Sequence, residues 1–440
     1  MLHFINVHLP LEEEEALFEV KIENGVYTSI KKQETYKEEG AFVPLQANVL
    51  GIEKQIDLQG RVMVPSFVDM HMHLDKAYTL SFVQNKSGTL EEAVSNYKKA
   101  LPMFTEEDIR QRMVKTALQA LTNGTTTIRT HIDFDCTQAE DVVFQALHTA
   151  LEVKQELKPY LDIQVVPLFV YVNPDDEEQM KMIHEAIELG IDAIGGCPHI
   201  VPDPVKEIDT LFALAKAYDL PLDLHVDEDD DPAVDTIVKI AEKTMETNHQ
   251  GKVNVGHLCS LAAMDEQKAT NIIQLVKKAN IHVVTLPAAN LYLQGRNDQR
   301  IVRRGVTRIQ ELQEANVLVA TASDNIHDPF HPFGKADLIQ IGLLTGYAAH
   351  MGTKENQVEL LRMITHIPAE MVGLKRYGIK EGYEASFVLF NAQSVEGIWT
   401  EVPETRFVFT KHRWVSVKET HQRLADATLT ALWHENQTLL

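Results

Sequence analysis

The segment Thr105–Asp133 reads TEEDIRQRMVKTALQALTNGTTTIRTHID and holds one complete helix-and-strand unit. Thr105 stands before Glu106, Glu107 and Asp108, which predicts an N-cap followed by acids in the first turn. Ile109, Met113, Ala117 and Leu121 recur on one helical face. Asn123-Gly124 ends the helix, glycine being the usual left-handed residue there. The β-branched run from Thr126 to Asp133 then reads as a strand.

The same alternation recurs on both sides of this unit. Strands are predicted at 67–73, 126–133, 162–169, 193–199, 222–228, 252–258, 281–287 and 317–324, each followed by a helical stretch. Eight such units in series favour a closed α/β fold, a (β/α)8 TIM-like barrel over residues 61–374, rather than an open doubly wound sheet. Residues 1–60 read instead as short strands. Phe18-Glu19-Val20-Lys21-Ile22 alternates, and Asn24-Gly25 is a hairpin signal. Residues 375–440 become strand-like again at Ala385–Phe390 and Arg406–Phe409. The two ends are therefore expected to pair into one small β-sandwich domain.

Composition is that of an ordinary soluble chain: 440 residues, 44% hydrophobic and 24% charged. The formal net charge of -23 argues against a nucleic-acid or anionic-membrane surface, since both need clustered Lys and Arg. Cys136, Cys197 and Cys259 are far apart, with no Cys-x-x-Cys pairing, so neither a disulfide framework nor a zinc knuckle is expected. Met1–Ile5 runs quickly into Glu12–Glu15, unlike a signal peptide, and no apolar run is long enough to span a bilayer. A cytoplasmic location is the expectation.

In such a barrel the active site lies at the C-terminal ends of the strands. Strand 1 ends in Val68-Asp69-Met70-His71-Met72-His73, and the two-residue spacing points both imidazoles to one side. Strand 5 ends in Leu224-His225-Val226-Asp227-Glu228, strand 6 in Val255-Gly256-His257 and strand 8 in Ala322-Ser323-Asp324-Asn325. A lone histidine at a strand end is more often structural than a ligand. Agreement in register among four strands is what argues for a metal site, with Zn2+ or Fe2+ suited to this donor set. His131 and His199 also end strands and are read as structural or as neighbours of the ligands.

These residues resemble the amidohydrolase superfamily, and within it the cytosine deaminase group. The likeness rests on Val64–Asp75, Arg129–Asp133, His225–Glu228, Leu293–Arg296 and Ser323–Asn325, with Ser66 where the family usually has Gly. It implies that His71, His73, His225 and Asp324 bind a metal. It further implies that His257 hydrogen-bonds the water on that metal and that Glu228 shuttles a proton to the substrate's ring nitrogen. Binuclear relatives carry a carboxylated Lys at the end of strand 4. That strand here reads Ala193–His199 without a Lys, so one divalent metal per chain is expected.

The substrate residues match less closely. Val170 stands where cytosine deaminases carry a Gln that reads the pyrimidine amide, and Asn325 replaces a second Asp. Asp75-Lys76 and Ser323-Asp324-Asn325 resemble instead the isopropylamidohydrolase acting on N-isopropylammelide, which lacks the acid at Glu228. Lys76 is read either as a substrate contact or as half of a salt bridge. Asn290 is read as facing the substrate or capping a loop, and Phe330 as stacking on a planar ring or packing. The expected function is a hydrolytic deaminase of a small N-heterocycle, a cytosine-like aminopyrimidine or a triazine, that releases ammonia. The alternative is release of an alkylamine or opening of a cyclic amide. A non-catalytic metal-binding scaffold is disfavoured because all six chemical positions are filled. A zinc deaminase of the cytidine type would need Pro-Cys-x-x-Cys, which is absent. Relatives are commonly oligomeric, so a homo-oligomer is expected by analogy.

Overall fold

The computed structural model describes residues 1–37, 55–299, 302–420 and 424–436. The N-terminal strands are β1 (Leu2–His8), β2 (Leu17–Glu23), β3 (Val26–Lys32) and β4 (Ile56–Asp57), forming one sheet in the order β3-β2-β1-β4. The β2–β3 hairpin turns through Asn24 and Gly25, both at positive φ (50° and 72°). That is the pair of left-handed residues a two-residue hairpin requires.

Strand β5 (Met63–Pro65) precedes the barrel. The barrel strands are β6 (Phe67–Met72), β7 (Thr125–Asp135), β8 (Asp162–Val170), β9 (Ile194–Gly196), β10 (Leu222–Val226), β11 (Val253–His257), β12 (His282–Thr285) and β13 (Val319–Thr321). They pair in sequential order, all parallel, and a parallel bridge between Met72 and Asp324 joins the last to the first. This is the (β/α)8 barrel expected from the alternation.

Strands β14 (Phe387–Phe390), β15 (Arg406–Thr410) and β16 (Arg413–Lys418) form the third sheet, in the order β16-β15-β14-β5. Both chain ends thus contribute to one β layer pair. Phe4, Val20, Tyr27, Phe387, Leu389 and Phe407 interdigitate between the two sheets and are wholly or almost wholly buried. The C-terminal stretch is not all strand. Helix Val395–Glu401 is capped by Ser394 and buries Ile398 and Trp399 against the barrel helices, and a second helix spans Ala427–Asn436. A buried ion pair ties the layers together: Arg406 of β15 donates to both oxygens of Asp337 at 2.7 and 3.0 Å.

The opening unit forms as its sequence dictates. Thr105 accepts from the Asp108 amide, and Ile109, Met113, Ala117 and Leu121 are buried on helix Glu106–Thr122. Gly124 has φ +110°, and a Cβ there would lie 2.9 Å from the Phe67 ring. Several strands are shorter than expected, β9 and β13 by the most. β9 stops at Gly196, because Cys197-Pro198-His199 turns into a 3-10 segment. β13 stops at Thr321, before the chain turns through Asp324 at φ 59°.

Candidate active site

Period-two alternation decides which side chains reach the barrel interior. On β6, Val68, Met70 and Met72 pack outward while Asp69, His71 and His73 turn inward. On β10, Leu222, Leu224 and Val226 pack outward, and Asp223 and His225 turn inward. The chain then leaves β10, β11 and β13 through left-handed residues: Asp227 (φ 51°), His257 (φ 71°) and Asp324 (φ 59°). Such conformations cost energy outside glycine and concentrate at functional sites. Asp227 is held by Thr236, whose amide and hydroxyl both donate to its carboxylate, and this fixes the turn that presents Glu228.

Four donors converge. His71 Nε2 and His73 Nε2 each lie 3.2 Å from His225 Nε2. Asp324 Oδ1 lies 3.6 Å from His71 Nε2 and 3.4 Å from His73 Nε2. Ligands about 2.1 Å from a tetrahedral ion stand ~3.4 Å apart, the size of these four separations, and His71, His73 and Asp324 offer atoms all within 4.8 Å of one another. Burial, aided by neighbouring cationic and imidazole groups, holds all three imidazoles well below their ordinary pKa, in the neutral form that binds metals. Neither oxygen of Asp324 accepts a hydrogen bond, although both are buried. A buried carboxylate of that kind calls for a cation.

Beneath the cluster, Asp223 accepts from Arg129 at 2.6 Å and meets His131 Nε2 at 3.2 Å. The His131 ring lies 4.1 Å from that of His71 and props it from below. His257 and Glu228 flank the other side, with Nδ1 and Oε1 3.4 Å apart. Burial lowers His257 to about 3. Burial, reinforced by Asp324, raises the Glu228 carboxyl well above the usual carboxylate range. A carboxyl raised in this way is suited to carrying a proton and passing it on.

A family model described as the amidohydrolase family matches residues 105–408. The chain belongs to the amidohydrolase family. The amidohydrolase is 32% identical over 380 residues to a pterin deaminase of Rhizobium rhizogenes, covering 85% of each chain. It is 28% identical to an N-isopropylammelide isopropyl amidohydrolase of Pseudomonas sp., covering 86% of this chain and 91% of that one. Among solved structures it resembles 5-methylcytosine deaminase from Klebsiella pneumoniae liganded with phosphonocytosine. That match has TM-score 0.87 and 29% identity, over 96% of this chain and all of the other. The amidohydrolase is accordingly a hydrolase of carbon–nitrogen bonds. Among the described residues, no helix is long and apolar enough to cross a membrane.

One cavity opens onto His73, His225, Glu228, His257 and Asp324 of the amidohydrolase. Lys76, Val170, Asn325 and Phe330 line it, as the sequence suggested. Lys76 faces the cavity, and its Nζ binds Asp133 at 2.6 Å, the salt bridge of the second reading. Burial alone would lower the Lys76 pKa, but Asp133 and Asp75 outweigh it, so the ammonium stays charged. Its Nζ lies 5.0 Å from the Phe330 ring centroid. Asn325 donates to Asp328 at 2.7 Å. Val170 joins Leu168, Cys197 and Val201 in an apolar wall.

Asn290 is a correction. It neither lines the cavity nor caps a loop. It lies fully buried within helix Pro287–Leu293, against His257 and Glu228. The short segment after β12 winds into a helix at once, which draws the side chain under the rim. Three cavity features add to the sequence reading. Asp133 lies inward in the same alternating row as Arg129 and His131, a signal that was present. His199 reaches the wall, with its Nδ1 3.2 Å from the His225 carbonyl. Helix Leu90–Ala100 covers the cavity with Leu90, Val94 and Tyr97, residue types that announce packing and no chemistry.

Proposed function

We propose that this amidohydrolase is a hydrolytic deaminase of a small amino-substituted N-heterocycle, an aminopyrimidine or aminotriazine, working with one divalent metal, Zn2+ or Fe2+. The observation that carries the reading is Glu228: a buried carboxyl, raised well above the usual carboxylate range, that lines one cavity with His73, His225 and Asp324. The relatives support it, since pterin and cytosine share an aminopyrimidinone ring and the similar proteins named for them are deaminases.

His71, His73, His225 and Asp324 would hold the metal. When bound, such a cation lowers the pKa of water toward about 7 and so supplies a nucleophile at neutral pH. The chain's own residues do the rest. Asp324, with two oxygens free of hydrogen bonds, accepts a proton as water's oxygen joins the ring carbon bearing the amine. Glu228 gives its proton to the adjacent ring nitrogen, and a proton returned through it lets the amine depart as ammonia while the C–N bond breaks. His257 offers a second polar group to the reacting oxygen. Lys76 and Asp133 supply a charged pair at the cavity wall, and Phe330 and Tyr97 supply ring faces. The single-metal reading is supported by β9, where Ile194-Gly195-Gly196 offers no Lys. A Cβ on Gly195 would lie 2.7 Å from the Pro167 carbonyl.

The test is ammonia release across a panel of aminopyrimidines, aminopteridines and aminotriazines, with elemental analysis of the purified protein. One metal per chain and ammonia from a panel member are expected. Dealkylation of an N-alkyl ring with no ammonia from any member would transfer the reading to the amidohydrolase alternative. Two tightly bound metals per chain would overturn the mononuclear site.

A further inference from the structure

Asn290 stands behind the cavity rather than in it, yet it touches both groups assigned to proton handling. Its amide nitrogen lies 3.0 Å from His257 Nδ1 and 3.4 Å from Glu228 Oε1. Those two atoms are themselves 3.4 Å apart. The triangle has one obligatory donor, the side-chain NH2 group, which carries two hydrogens. Glu228 Oε1 is the accepting oxygen, which leaves the carboxyl's own proton to Oε2. If the amide also donates to Nδ1, that nitrogen must be bare, and the neutral ring must carry its proton on Nε2. Rotating the amide by half a turn would set its carbonyl oxygen against Glu228 Oε1, and only the Nδ1–H tautomer of His257 could then bond to it.

The orientation of Nε2 matters because it is buried without a hydrogen-bond partner in the protein. His71, His225 and His257 bring ring nitrogens within 4.8 Å of one another. We propose that Asn290 is a positioning residue: through one amide it presets His257 as a donor at Nε2 and holds Glu228 in place as the acceptor. This rests on the deaminase reading, which assigns proton transfer to Glu228 and His257. Backbone geometry suits the role. The Asn290 amide donates to the Leu286 carbonyl and its carbonyl accepts from Gln294, so the side chain is anchored on both sides.

The direct measurement is the 15N spectrum of zinc-loaded protein labelled at histidine, with His257 assigned from the His257→Gln variant. In the parent, His257 is expected to carry its proton on Nε2, with Nδ1 bare. In Asn290→Asp the carboxylate accepts from the ring, and the proton should move to Nδ1. Both Asn290→Asp and Asn290→Leu should lose about 100-fold or more in kcat, with KM within about 3-fold and metal content and Tm retained. A proton on Nδ1 of His257 in the parent overturns the proposal without any variant. So does an unchanged tautomer in a folded Asn290→Asp protein. A parent that deaminates nothing would defeat the deaminase reading, while the tautomer still decides what Asn290 does.

Discussion

Asp324 donates its backbone N–H to the His71 carbonyl at 2.8 Å, and its carboxylate lies 3.6 Å from the His71 imidazole. One pair of residues therefore joins the last barrel strand to the first and brings two metal donors together. The bond that closes the barrel also sets the Asp324 carboxylate beside His71 and His73. Metal should then stabilise the fold. At a free metal concentration 100 times Kd the gain is about 2.7 kcal/mol, and chelation should lower Tm accordingly. Asp324→Asn keeps the backbone bond but weakens the charge. It should melt at one temperature with or without chelator, and elemental analysis should find little metal.

Glu228→Gln separates proton transfer from metal binding. Glu228 lies 3.4 Å from His257 and outside the four-donor set. The variant should keep its metal and its Tm while kcat falls roughly 10²–10⁴-fold. Turnover within threefold of the parent would remove Glu228 from the chemistry.

Arg406 and Asp337 are almost fully buried and meet through two bonds of 2.7 and 3.0 Å. Asp337 also caps helix Leu338–Ala348, and Arg406 donates to the Asn123 carbonyl beside the first barrel helix. Arg406→Ala removes both guanidinium bonds and leaves the buried carboxylate only Lys335 at 3.6 Å and the Ile339 amide at 3.1 Å. The expected cost is about 3–5 kcal/mol in urea or thermal unfolding, with the kcat of the surviving folded protein unchanged.

Glu207 provides a pH-dependent contribution away from the donors. Burial raises its carboxyl to about 7. Its Oε2 accepts from the Val172 amide at 3.2 Å, and its Oε1 has no partner. A carboxyl whose folded pKa exceeds its unfolded value favours the folded state fully below about pH 4.5. That contribution is lost as pH rises through 7. Glu207→Gln stays neutral and keeps an acceptor for Val172. Its unfolding free energy relative to the parent should therefore climb from pH 5 to pH 8, on the order of 2 kcal/mol, and then level off. A flat difference across that range would show that Glu207 is not held protonated.

Much of this was legible beforehand because it is periodic. The helix face at Ile109, Met113, Ala117 and Leu121 and the inward row at Asp69, His71 and His73 follow from 3.6- and 2-residue spacings in the chain itself. So does the eightfold recurrence of strands. The ends of strands were less legible. At Cys197 and Thr321 the β-like composition continues while the backbone turns away.

The sequence by itself pointed to the barrel through its periodicity, and to His71, His73, His225 and Asp324 through their places at strand ends and a family resemblance. Periodicity is a property of neighbours along the chain, so the alternation of strands and helices is legible without the fold. The tertiary structure alone decided what Asn290, Asp133 and the helix Leu90–Ala100 do. Asn290 is 62 residues from Glu228 and 33 from His257, and Lys76 is 57 from Asp133. No local rule links residues so far apart. Their roles exist only once a closed barrel sets loops from different strands side by side.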